Sequence, residues 1–216
     1  MESGAHESAG SEGKVAGYVM AGGASRRFGS DKALAEFAGK TLLFRMCELV
    51  KGVAGPVHIV APCGRYAVTD ILVVEDRWPD EGPLGGIITA LHATAGRTRH
   101  EDWNLIVSCD MPFLSREWLS YTIERARVSD AEVIVPQSGY GLEPLCACWR
   151  TTAAGALQGV FEDGVRKVTE AMKRLRMEVL DETHWKRFDS AGQLFWNMNT
   201  PKDYETALRR WRTAEA

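Results

Sequence analysis

Short runs of consecutive apolar residues alternate along this chain with longer stretches whose apolar positions recur at helical spacing. Residues 14–20, ending Tyr18-Val19-Met20, form an unalternating apolar run that breaks into Ala21-Gly22-Gly23-Ala24-Ser25, the pattern of a buried strand feeding a glycine loop. Over residues 41–50, Leu42, Leu43, Met46, Leu49 and Val50 share one helical face, and Gly52, Gly55 and Pro56 end it. The alternation then predicts strands at 57–61, 71–74 and 104–109, the last ending on Asp110, and helices at 84–95 and 115–128. Ser115 is the N-cap of the second of these, with Glu117 behind it. Strands follow at 132–136 and 144–149, helices at 151–160 and 165–175, strands at 177–180 and 194–198, and a final helix from Pro201. The segment 137–143 is glycine-rich and reads as an exposed loop.

Strands that are apolar without alternation are buried on both faces, so this order predicts an α/β fold of three layers, a mainly parallel sheet covered on both sides by helices. Ligands of such open sheets sit beyond the carboxyl ends of the strands. Attention therefore falls on the residues just after Met20, Val74 and Cys109. Residues 14–216 are expected to form one domain. The first 13 residues, Gly, Ser and Glu with little to bury, read as a disordered leader without the basic and apolar regions of a signal peptide.

Composition narrows the function classes. Twenty-six basic against 29 acidic side chains leave a net charge of −3, which disfavours a broad nucleic-acid face. No apolar run approaches the ~18 residues of a spanning helix, so no membrane partner is expected. The 5 cysteines are an odd, scattered set that fits a reducing cytoplasm. Cys146-Ala147-Cys148 is read with its thiols on opposite faces of a strand and without a second pair, so zinc is not expected.

The richest stretch for chemistry runs from Ala21 to Lys32, with three glycines, Arg26, Arg27 and Lys32 directly after the first strand. Glycines let backbone amides approach phosphates, while arginine offers a forked donor and lysine a compact charge. The segment contains neither G-x-G-x-x-G nor a P-loop, since Gly39-Lys40-Thr41 has Leu34 where the first loop glycine would stand. An ordinary solvated loop has the same composition; the position after the first strand favours phosphate. Asp110 stands where an α/β enzyme holds a metal-nucleotide, or it caps the turn into the next helix. Asp76 occupies the equivalent place on another strand, or is a loop acid. Gly82-Pro83-Leu84-Gly85-Gly86 opens a helix with more glycine than a simple start requires, leaving space for a flat base or for a tight turn. Asn197 and Asn199 precede Thr200, a natural N-cap, and the basic helix around Arg166 is a solvated face or a receiver for an anionic substrate.

Four motifs in order, Ala21-Gly22-Gly23-x-Ser25-x-Arg27-Phe28-Gly29-x-Asp31-Lys32, Gly82-Pro83-Leu84-Gly85-Gly86-Ile87, Cys109-Asp110-Met111-Pro112-Phe113 and Asn197-x-Asn199-Thr200-Pro201, resemble the molybdenum cofactor guanylyltransferases over residues 15–211. The resemblance implies a Rossmann-like nucleotidyltransferase fold and transfer of GMP from MgGTP to the phosphate of molybdopterin, with pyrophosphate released. By position it implies that Met20, Ala21, Gly22 and Gly23 line the nucleotide site, that Arg27 and Lys32 act on phosphates, and that Asp76 belongs to the guanosine pocket. It further implies that Asp110 binds Mg²⁺, that Gly82, Pro83, Leu84 and Gly85 sit near the base, and that Asn199 and Thr200 face the pterin. Molybdoenzymes that receive the cofactor, or other cofactor-biosynthesis proteins, would be partners. The chain departs from the family at Val60-Ala61-Pro62-Cys63-Gly64, where an asparagine that contacts GTP is frequent. A cytidylyl- or sugar-phosphate nucleotidyltransferase on the same scaffold and a non-catalytic cofactor chaperone are the alternatives.

Overall fold

The computed structural model describes residues 15–22, 31–66, 70–97 and 101–214. The leader, Lys14, Gly23 and Arg27 lie outside the described residues. In chain order the elements begin with β1 (Val15–Met20), a 3-10 turn at Lys32–Leu34, the two-residue strands β2 (Glu36–Phe37) and β3 (Lys40–Thr41), and α1 (Leu42–Lys51). Then come β4 (Val57–Ala61), β5 (Leu72–Glu75), α2 (Pro83–Ala95), β6 (Trp103–Ser108) and α3 (Arg116–Val128). The rest comprises β7 (Val133–Ser138), β8 (Gly141–Leu142), β9 (Cys146–Arg150), α4 (Ala154–Glu162), α5 (Val168–Ala171), β10 (Met177–Leu180), α6 (Glu182–Trp185) and α7 (Pro201–Ala214). No helix among the described residues is long and apolar enough to cross a membrane.

The main sheet runs β10-β7-β9-β6-β1-β4-β5, with β8 paired to β7. The β1, β4, β5 and β6 strands are mutually parallel, as are β7 and β10, while β9 runs antiparallel between β6 and β7. Alternation within β1 sets the layers: Val15 and Val19 face α1 and α3 with Met46, Val50, Trp118 and Leu119, whereas Ala16, Tyr18 and Met20 face α2 and α4 with Ile87, Ile88, Leu157 and Phe161. Fully buried leucines such as Leu91 and Leu105 each contribute about 1.5–3 kcal/mol of transfer free energy. At Gly17 a Cβ would meet Val50 Cγ1 at 2.4 Å, so the glycine is what lets α1 close on β1.

Several expectations change. Residues 194–198 form no strand; Leu194, Phe195 and Met198 are apolar because they bury in two separate clusters from an irregular segment. The helix expected at 165–175 shrinks to Val168–Ala171 and a 3-10 turn, and the loop expected at 137–143 is the tight β7–β8 hairpin, with Gly141 at φ +115°. The β2–β3 hairpin turns on Ala38 and Gly39, at φ 51° and 79°, the left-handed pair of a two-residue loop. Cys146 and Cys148 point to the same face, not opposite ones, because residues two apart in a strand share a side; both sit in the α1/α3 layer. Cys146 Sγ accepts from Trp118 Nε1 at 3.4 Å, and burial pushes its thiol up to about 12, so it is a core residue rather than a reactive one.

Candidate active site

The carboxyl ends of β1, β4, β5 and β6 are brought level by their pairing. Ala21 N donates to Val60 O at 2.9 Å, Cys109 N to Met20 O at 3.2 Å and Asp76 N to Ala61 O at 2.8 Å. Three stretches distant in sequence, those holding Gly22, Asp76 and Asp110, therefore leave the sheet along one edge.

Lys32 Nζ lies 2.5 Å from Asp110 Oδ2 and 3.4 Å from Asn199 Oδ1, both side chains of the ion pair being largely sheltered. Asp110 Oδ1 is buried with no hydrogen-bond partner among the described residues. An unsatisfied buried acceptor costs about 1–3 kcal/mol, and more when charged, so this oxygen is suited to a cation. Among the described residues no cluster of three or more His, Cys, Asp or Glu forms a metal cage. A single carboxylate with an open oxygen, paired to a lysine through the other, matches Mg²⁺, which takes one or two carboxylates and fills its shell with phosphate oxygens and water. The donor set fits.

Lys32 is aimed by local structure. Asp31 caps the 3-10 turn, its Oδ1 accepting from Ala33 N at 3.1 Å. Tyr66, which the sequence reading missed, donates to Asp31 Oδ2 at 2.7 Å, and its hydroxyl also lies 3.2 Å from Ala21 O. Burial, then the Asp31 carboxylate, pushes the Tyr66 phenol up, so it stays a neutral donor. A second omission is Glu143, a buried acid whose Oε1 accepts from Ser138 Oγ at 2.6 Å. Burial holds its carboxyl above the usual range, and the charge of Asp110 pushes the same way. A glycine turn in Cys63-Gly64-Arg65-Tyr66 and a lone acid before Pro144 were the only signals.

Asp76 divides its work. Oδ1 accepts from Trp78 N at 3.0 Å, as a loop acid would, while Oδ2 faces Gly22, 3.7 Å from where a Cβ there would stand. Gly82, at φ +92°, opens α2 without a side-chain cap, leaving first-turn amides to other partners. Leu84 is fully buried, so only its backbone is available to a ligand; a Cβ on Gly86 would strike Met20 Cε at 2.2 Å, giving that glycine a packing role. Thr200 Oγ1 accepts from Asp203 N, and Asp203 Oδ2 returns by accepting from Asn199 N and Thr200 N, so capping explains Thr200. Met198 N donates to Asp110 O at 3.0 Å and ties this segment to the Asp110 turn. Arg166 is not free to receive an anion: Glu81 and the Phe161 and Val165 carbonyls occupy its guanidinium.

A family model for the MobA-like NTP transferase domain matches residues 17–177, from β1 into β10. The chain belongs to this family. Among curated MobA-like relatives, the molybdenum cofactor guanylyltransferase of Desulfosudis oleivorans is 31% identical over 195 residues, spanning 89% of this chain and 94% of that protein. The protein of the same name from Syntrophotalea carbinolica is 27% identical over 90% of this chain and 89% of its own length. The solved molybdopterin-guanine dinucleotide biosynthesis protein A of Archaeoglobus fulgidus superposes with a TM-score of 0.79 at 23% identity, covering 92% of this chain and 99% of that one. The 2-C-methyl-D-erythritol 4-phosphate cytidylyltransferase of Thermus thermophilus follows the same path at a TM-score of 0.65 and 15% identity, over 90% of this chain and 98% of its own. The MobA-like fold is thus the Rossmann-like nucleotidyltransferase fold, here with one antiparallel strand, β9, inside the sheet.

Proposed function

We propose that the protein transfers GMP from MgGTP to the phosphate of molybdopterin, releasing pyrophosphate and forming molybdopterin guanine dinucleotide. The observation that carries this is the Lys32–Asp110 pair with its unpartnered Oδ1, at the strand edge where Gly22 and Asp76 also emerge, in a chain 31% identical to a guanylyltransferase. In this reading an oxygen of the acceptor phosphate attacks the α-phosphorus, the bond to the bridging oxygen breaks, and the electron pair leaves with pyrophosphate. The acceptor's second pKa is about 6, so it is largely dianionic at neutral pH and needs no general base.

The chain's task is alignment and neutralisation. Mg²⁺, held by Asp110 together with the nucleotide phosphates, would supply charge neutralisation. We assign Lys32 and Arg27 to the phosphates, the backbone of Met20, Ala21, Gly22 and Gly23 to the nucleotide, and Asp76 with Gly82, Pro83, Leu84 and Gly85 to the guanosine. Asn199 and Thr200 are assigned to the pterin side, with Asn199 beside the Lys32 ammonium at 3.4 Å. Lys32, already ion-paired to Asp110, needs little rearrangement to hold a phosphate against the metal carboxylate. We place the reaction in the cytoplasm, which the five free cysteines support, and a molybdoenzyme downstream as recipient.

Pyrophosphate release measured with molybdopterin and, in turn, GTP, CTP and UTP tests the reading. GTP-dependent release with the dinucleotide as product is expected. Release with CTP instead, or with a sugar 1-phosphate as acceptor, would transfer the assignment to the alternatives on this scaffold, and tight molybdopterin binding without release would mark a chaperone.

A further inference from the structure

Two adjoining cavities, of about 260 and 370 Å³, share Tyr140, Phe195 and Trp196 as lining. Tyr140 follows β7, which β9 and β6 separate from β1, β4 and β5, so both cavities lie along the sheet from Gly22 and Asp76; the larger one also takes in Asn199, whose Oδ1 is 3.4 Å from Lys32 Nζ. Tyr140 stands at the tip of the β7–β8 hairpin with 88% of its surface exposed, an unusual place for an aromatic ring with no packing duty. Trp196 Nε1 is buried with no partner among the described residues, a donor without an acceptor. Its ring is held from one side by the Arg210 guanidinium, 4.3 Å from the ring centroid. Phe195 beneath is wedged edge-on against Trp118 and Trp185, at 5.8 and 5.4 Å between centroids. The floor is therefore rigid.

We infer that this aromatic cleft is the acceptor's ring site, in which Tyr140 and Trp196 bind a flat, hydrogen-bonding heteroaromatic, the pterin. The inference rests on the proposed function and adds to it the residues that select the acceptor. The lining chemistry excludes the phosphate end: Lys186, the lysine of the smaller cavity, is engaged by Glu182 at 2.8 Å, and Asp189 and Asp203 add negative charge. A pterin carries carbonyl and ring-nitrogen acceptors for the Trp196 indole N–H and an amino group for carboxylates. Its phosphate would then reach back past Asn199 toward Lys32 and Asp110. Guanine has similar donors, but Gly22 and Asp76 follow β1 and β5, on the far side of β9 and β6 from the cleft.

The test uses the whole protein and the variants Tyr140→Ala and Trp196→Phe. In GTP-dependent pyrophosphate release, each is expected to raise the KM for molybdopterin about tenfold, the scale of losing one stacking or hydrogen-bonding partner, with the KM for GTP within about twofold of wild type. Because Tyr140 is exposed, Tyr140→Ala reads the cleft even if Trp196→Phe folds poorly. An unchanged KM for molybdopterin in Tyr140→Ala, or a rise in the KM for GTP instead, overturns the inference while wild-type turnover keeps the proposed function standing. Should wild type show no turnover, binding of 6-carboxypterin followed by tryptophan fluorescence still decides. Saturable quenching weakened about tenfold by Tyr140→Ala supports the cleft; equal quenching in both proteins, or displacement by guanosine, rejects it.

Discussion

Lys32 Nζ and Asp110 Oδ2 lie 2.5 Å apart across 78 positions of sequence, and the pairing leaves Asp110 Oδ1 buried and unpartnered. A carboxylate arranged this way has one oxygen committed to orienting a cation and the other reserved. Replacing it with asparagine keeps volume and shape while removing the charge. Asp110→Asn is expected to lower metal-dependent pyrophosphate release by about 10³-fold or more, on the scale of losing a main electrostatic contact in a transition state. Thermal unfolding should stay near wild type, since one orphaned buried charge disappears with the ion pair. Residual activity within about tenfold of wild type would remove Asp110 from the proposed metal site.

The Lys32 turn is expected to depend on Tyr66. Its hydroxyl holds Asp31, which caps the turn, and it also lies against Ala21 O, so one phenol braces both sides of the segment between β1 and Lys32. Tyr66→Phe should cost about 1–2 kcal/mol of stability, because Asp31 keeps a part-buried oxygen with one fewer donor. The KM for the nucleotide should rise more than kcat falls, since the lysine is displaced rather than removed. The phenol is pushed up from its ordinary value of 10.0, so the effect should be flat between about pH 6 and 9. A nucleotide KM equal to wild type would show that Asp31 needs no brace.

The parallel core was legible because β1, β4 and β6 are buried on both faces and must be written as apolar runs, and because ligands of such sheets gather at strand ends, which pointed to Gly22, Asp76 and Asp110. An apolar run states burial and not direction, so nothing in Cys146-Ala147-Cys148 announced that β9 runs antiparallel. Leu194, Phe195 and Met198 misled for a related reason: they bury without a neighbour strand to pair with. Tyr66 and Glu143 escaped because their significance comes from a hydrogen bond to Asp31 and from burial near the Asp110 charge, which only chain closure makes.

Gly17 offers a test of the packing under the site. A Cβ there would lie 2.4 Å from Val50 Cγ1 and 3.3 Å from Ala54 Cβ, both short side chains with no far end to swing away. Gly17→Ala is therefore expected to destabilise by about 1–3 kcal/mol through overpacking, against the small gain alanine usually brings in a strand. Denaturant titration checks the sign. A stabilised variant would mean that α1 rides more loosely on β1 than its contacts imply.

His58 supplies the pH dependence. Its ring is buried on β4, stacks on Tyr18 with centroids 5.1 Å apart, and its Nε2 faces the Arg97 guanidinium, with Glu101 nearby. Burial, then the Arg97 charge, pushes its pKa below the ordinary imidazole value of 6.5, so the folded protein holds the neutral ring as an acceptor for Arg97. Above about pH 7 the folded and unfolded chains both carry neutral imidazole, and the group contributes no pH dependence. As pH falls through 6.5 the unfolded chain takes up the proton first, so stability is lost on acidification until the folded ring also protonates. Urea unfolding of wild type and His58→Phe at about pH 7.5 and 5.5 separates this contribution from those of the acidic residues, which both proteins share. Wild type should lose more stability than His58→Phe over that interval. Equal losses would place the acid sensitivity elsewhere, with Glu143 opposing it, since a carboxyl held above its usual range favours the folded state as pH falls.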